Sequence, residues 1–203
     1  MSHPQQLTAF AGTTLIGQGD LPTVALQARA VRAHDPEASI LIFDDASGRT
    51  VEVDLRGSAE EVLARLPQPD PAEGEEPPKR GRPKLGVVAK EITLLPRHWQ
   101  WLSEQPGGAS VTLRKLVEQA RKAGVAKEQA RKSQEAAYRF LDAMGGNLPN
   151  FEEVCRKLFA GDFGGIAPLL TAWPADVRGH ALKLIGSAER DAIEAVEGWP
   201  EDR

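Results

Sequence analysis

The chain has 203 residues, 41% hydrophobic and 27% charged, with one cysteine and a formal net charge of −4. That hydrophobic share supplies packed cores and excludes wholesale disorder. A single cysteine excludes a disulfide framework and a thiolate metal cluster. The start Met1–Gln6 is polar, without the apolar run of a signal peptide. No stretch nears the roughly 18 apolar residues of a membrane span, so a cytoplasmic location is expected.

Charge is unevenly spread. Residues 1–66 carry 5 basic and 9 acidic side chains, residues 67–78 carry none and 4, residues 79–139 carry 14 and 5, and residues 140–203 carry 6 and 11. A block of net +9 inside an acidic chain marks a surface for a polyanion.

Leu7–Gly12 and Thr13–Gly19 read as short strands about Gly12, and Pro22 opens a helix to about Ala33. Ser39–Phe43 is a third, apolar strand. The stretch Asp44–Arg49 has turn chemistry, its Asp and Ser bonding locally and its Gly permitting positive φ. Thr50–Leu55 alternates Val51, Val53 and Leu55 with Glu52 and Asp54, the period of a half-buried strand. Ser58 and Glu61 form a capping box for a helix to about Leu66. A small ββαββα domain over 1–66 is therefore predicted.

Residues 67–86 form a linker: five prolines, four acids and a glycine in Pro67–Pro78, then a basic arm. The acidic part cannot bury apolar surface and is expected to be extended and mobile. Over 87–124 a strand at Val87–Leu94 precedes a helix from Pro96 to about Gln105. Pro106-Gly107-Gly108 breaks that helix, and Ser110 caps the next, whose Leu113, Leu116, Val117 and Ala120 form one stripe. Residues 125–203 read as an all-helical domain. One helix runs from Ala126 to Met144, and a second is capped by Asn150 with Glu153. A short third covers Ile166–Trp173, and a fourth starts at Pro174. The overall class is α+β.

The strand-helix-helix order at Val87–Ala123 resembles the ribbon-helix-helix family, in which two chains pair their strands into a ribbon that enters the DNA major groove. The resemblance implies a homodimer, with Ile92, Leu94, Trp99, Leu102, Leu113, Leu116 and Val117 as its core. It puts Lys90, Glu91, Thr93 and Arg97 at or near the DNA, and a phosphate at the start of the second helix near Ser110, Arg114 and Lys115. Glu91 departs from the polar base-readers usual on that strand, since a carboxylate among phosphates is costly. A unit of about 35 residues needs a partner to bury enough surface, which fits the resemblance. Arg80-Gly81-Arg82-Pro83-Lys84 resembles an AT-hook core, implying that Arg80, Arg82 and Lys84 lie in an A·T-rich minor groove. A helix-turn-helix reading of Pro96–Ala123 leaves the strand unused.

The stretches LIFDDASGR, GRPKLGVVAKEITLLPRHWQWL, QPGGAS and FAGD…AWPADVR make the whole chain similar to a bacterial family, domain of unknown function 2239, which brings no activity with it. Asp44, Asp45 and Asp54 are explained by a turn and a solvent-facing strand, and the four histidines have no metal-ligand spacing. Cys155 and Trp173 read as packing residues. The expected function is a non-enzymatic DNA-binding protein without metal or cofactor. It would be a homodimeric transcriptional regulator or nucleoid-associated factor, with the terminal domains available to a protein partner. The alternative is an adaptor whose central unit only dimerises.

Overall fold

The computed structural model describes residues 5–67 and 90–197. Among them are one three-stranded antiparallel sheet, six α-helices and two short 3-10 turns. The chain divides into two compact units, residues 1–66 with 121–203 and residues 67–120.

The first unit opens with β1 (Leu7–Ala11), β2 (Thr14–Gly19), α1 (Leu21–His34), β3 (Ile40–Asp44) and α2 (Ala59–Arg65). Gly12, at φ +55°, turns β1 into β2. Strand β1 is central and antiparallel to both neighbours, with Leu7 opposite Gly19 on one side and Asp44 on the other. The Asp20 carboxylate caps α1 by accepting from the Thr23 backbone N–H at 3.0 Å. The expected capping box closes α2: Ser58 and Glu61 each accept from the other's backbone N–H, at 3.2 and 2.7 Å.

Alternation along the strands sorts their side chains into two layers. Leu7, Ala9 and Ile42 pack with Val24 and Ala28 of α1, and Val51, Val53 and Leu55 close that layer. Phe10 and Phe43 belong to the other layer. They pack with Phe140 and Leu141 of α4 (Gly108–Gly145), Val154 and Leu158 of α5 (Phe151–Ala160), and Val177, Ala181, Leu184 and Ile185 of α6 (Ala175–Glu197). The rings of Phe10 and Phe43 lie 5.6 and 5.0 Å from that of Phe140. The separate domains expected at 1–66 and 125–203 are thus corrected to one unit with a shared core. The cause is β1 itself: Leu7, Thr8, Ala9 and Phe10 are all buried, so the strand needs cover on both faces.

Other expectations are corrected locally. Thr50–Leu55 is not a strand: only Thr50 pairs, as an isolated bridge to Phe43. The alternation survives in burial, since Val51, Val53 and Leu55 are half-buried while Glu52 and Asp54 are exposed. The two helices expected on either side of Gly124 are the single 38-residue α4, so the boundary drawn there lies inside a helix. One interior glycine costs about 1 kcal/mol relative to alanine, too little to interrupt flanks rich in Ala, Lys, Gln and Arg. The expected helix at Ile166–Trp173 is instead a pair of 3-10 turns, Phe163–Gly165 and Ala167–Leu170, where glycines and Pro168 keep the helix from forming. Asn150 does precede α5, but in the left-handed region at φ 64°, and its amide donates to the Leu169 carbonyl at 3.1 Å. Glu153 pairs with Arg156 at 2.6 Å rather than closing a capping box.

Candidate functional site

The second unit holds the residues expected to meet DNA. Helix α3 (Pro96–Glu104) starts at a proline that suits its first turn, and Leu95 before it is extended, at φ −65° and ψ 150°. Gly107 and Gly108, at φ 92° and 72°, make the turn into α4. Within the expected strand Val87–Leu94, residues 87–89 lie outside the described residues. Lys90–Leu94 carry no ladder within the chain, because the described part of this unit holds no neighbouring strand to pair with. The strand is therefore corrected to irregular backbone in the single chain. Helix α4 begins at Gly108, so Ser110 lies inside its first turn and is not its cap.

Lys90, Glu91, Thr93, Arg97, Ser110, Arg114 and Lys115 are all exposed. Arg80, Arg82 and Lys84 lie outside the described residues. The basic excess is not concentrated on α3 and the start of α4: residues 90–120 hold four cations, Lys90, Arg97, Arg114 and Lys115, and three carboxylates, Glu91, Glu104 and Glu118. It resides in residues 79–89 and in the later turns of α4. In those turns Arg131 pairs with Glu128 (2.8 Å) and Glu135, and Arg139 pairs with Glu135 (2.9 Å).

The expected dimer core divides sharply. Leu102 is buried within the chain, and Leu94 and Leu113 are half-buried. Ile92 is 50% exposed, Trp99 41%, Leu116 39% and Val117 66%, and Leu95 and Trp101 are exposed as well.

A second cluster, in the first unit, is one that sequence reasoning missed. Asp45, just after β3, lies in the expected turn, but its carboxylate does not bond to the turn's backbone. That role belongs to Asp44, whose carboxylate accepts from the backbone N–H of Ala46 (2.8 Å) and Ser47 (3.3 Å). Asp45 instead accepts from the Thr8 hydroxyl (2.8 Å) and the Lys183 ammonium (2.8 Å). His180 Nε2 of α6 lies 3.5 Å from the same carboxylate, but off hydrogen-bond geometry. Neither ring nitrogen of His180 has a hydrogen-bond partner. The ring packs against Phe140 at 4.6 Å and Phe10 at 5.8 Å. Burial holds its pKa below the ordinary histidine value; the Asp45 carboxylate opposes the shift and Lys183 adds to it. The ring is buried and turned away from solvent. The cluster ties β1, the end of β3 and α6 together. The i, i+3 spacing of His180 and Lys183 on one helix face was the only signal for it in the sequence.

Cys155 is half-buried, and burial raises its thiol pKa, which suits a packing residue and not a reactive one. Trp173 is buried, with its indole N–H donating to the Pro149 carbonyl at 2.8 Å. No helix among the described residues is long and apolar enough to cross a membrane.

The chain belongs to a bacterial family, described as an uncharacterized protein conserved in bacteria (DUF2239), whose match spans residues 6–185. No curated protein and no solved structure matches it.

Proposed function

We propose that the protein is a non-enzymatic DNA-binding protein that acts as a homodimer through its second unit, in the manner of a ribbon-helix-helix protein. The observation that carries this reading is the set of uncovered apolar side chains, Ile92, Leu95, Trp99, Trp101, Leu116 and Val117, six of the 31 residues 90–120. Large apolar side chains grouped this densely at the surface mark an interaction face. A second copy would cover them, and it would also supply the missing ladder partner for the segment ending at Leu94. Lys90, Arg97, Arg114 and Lys115 are exposed beside them in sequence, and the arginines of Arg80-Gly81-Arg82-Pro83 precede them.

The full chain should sediment as a dimer and bind duplex DNA with an affinity that falls steeply with salt, by about 0.9 log units per log unit of salt for each phosphate neutralised. Arg114→Glu should weaken binding on all duplexes, and Arg82→Ala should weaken it most on A·T-rich ones. A dimer that ignores DNA at 150 mM salt would leave an adaptor in its place.

A further inference from the structure

Four cationic side chains converge on one open groove of about 370 Å³ in the first unit, lined by Ser47, Arg49, Arg131, Lys132, Glu135 and Arg139. The fold builds this convergence deliberately. Gly48 sits at φ +66° with its Cα flat against α4, where a Cβ would overlap the Ala136 backbone. Arg139 Nη1 donates to the Ser47 carbonyl at 2.8 Å. The turn after β3 is thereby pinned to the helix, and Arg49 is brought to the face that carries Arg131, Lys132 and Arg139.

The counter-charge there is incomplete. Glu135 is shared by Arg131 and Arg139, and Glu128 by Arg131 and, at a long 3.9 Å, Lys132. The guanidinium of Arg49 has no partner among the described residues. Four cations against the two carboxylates of Glu128 and Glu135 therefore leave two net positive charges at the groove, and like charges held together at this density favour an anion between them. Guanidinium forks match phosphate oxygens geometrically. The lining offers no aromatic platform on which a base would stack, so it suits phosphates and not nucleobases. The backbone N–H groups of Ala46, Ser47 and Gly48 are taken up by Asp44, which leaves side-chain cations as the donors.

We infer that this groove is a phosphate-binding site for a chain of phosphate groups. The phosphodiester backbone of duplex DNA is the source that follows from the proposed function, and that choice of source rests on it. The site would add sequence-independent contacts separate from those of the second unit.

The test compares the full-length protein with Arg49→Ala/Lys132→Ala, two exposed side chains that do not hold the turn in place. Arg56→Ala/Arg190→Ala serves as a control of equal charge loss. Binding to a mixed-sequence 30-base-pair duplex is measured as a function of salt. The groove variant should show a salt slope smaller by about 1.8 and an affinity lower by about tenfold on A·T-rich and G·C-rich duplexes alike. The control should keep the wild-type slope. If the wild type binds DNA and the groove variant retains its slope, or the control loses as much, the inference is overturned and the DNA reading stands. If the wild type binds no DNA, that reading fails and calorimetry with tripolyphosphate decides the groove. Binding by the wild type that is lost in the groove variant supports a phosphate site fed from a free polyphosphate, and no binding overturns it.

Discussion

The two compact units treat their apolar residues in opposite ways. In the first, a three-stranded sheet is covered on both faces, and Phe10, Phe43 and Phe140 are fully buried together. In the second, Leu102 alone is buried among residues 90–120, while six large apolar side chains stay exposed. The first unit builds a buried core within one chain, though Val125, Phe159, Ile193 and Val196 stay exposed on it, whereas the second lacks the surface to build one, as expected of a unit this small. The contrast places the buried core in the first unit, and the proposed function assigns association to the second.

The contrast breaks most sharply at the shared core. Phe140→Ala should cost about 3–5 kcal/mol in urea denaturation, with sheet and C-terminal helices lost in one transition. Two transitions, with only the helical one shifted, would show the sheet to be independent. Gly48→Ala should cost about 3 kcal/mol, since it places a Cβ against the Ala136 backbone in a left-handed conformation; a thermal melt within a degree of wild type would refute the pinning of the turn. In the second unit, Trp99→Ala or Leu116→Ala should leave the denaturation midpoint of the first unit unchanged. Either should raise the dimer dissociation constant by about 2 kcal/mol, or roughly thirtyfold, in sedimentation equilibrium.

The smallest effect concerns His180. Its pKa is lower folded than unfolded, so between the two values the unfolded chain binds more protons and stability rises with pH. Stability should be full above the unfolded histidine value of about 6.5 and fall as pH drops below it, by no more than about 1.4 kcal/mol per pH unit. His180→Phe should flatten that fall, and an unchanged pH profile would remove His180 as its source.

Much of the local structure was legible from residues alone. The strands about Gly12, the Ser58–Glu61 capping box, the turn at Asp44 and the break at Pro106-Gly107-Gly108 all follow from short-range chemistry that needs no partner. The end expected at Met144 also holds to within one residue, since α4 stops at Gly145, where the Trp173 ring occupies the space a Cβ would need. One feature misled because it depends on distant residues. The acidic linker suggested separate domains, although the apolar runs Leu7–Ala11 and Ile40–Phe43, buried on both faces, carried the signal for a second covering layer.

Sequence by itself determined the strands about Gly12 and at Ile40–Asp44, most of the helices, which positions alternate and where the chain turns, because those choices are made by backbone sterics and side chains a few residues apart. Only the tertiary structure decided that the N-terminal sheet and the C-terminal helices share a core, that Asp45 meets His180 and Lys183 across 135 to 138 positions, and that Arg49 joins Arg131, Lys132 and Arg139 in one groove. Those meetings depend on burying both faces of one strand at once; a local apolar run signals that a second layer is needed but not which distant segment supplies it.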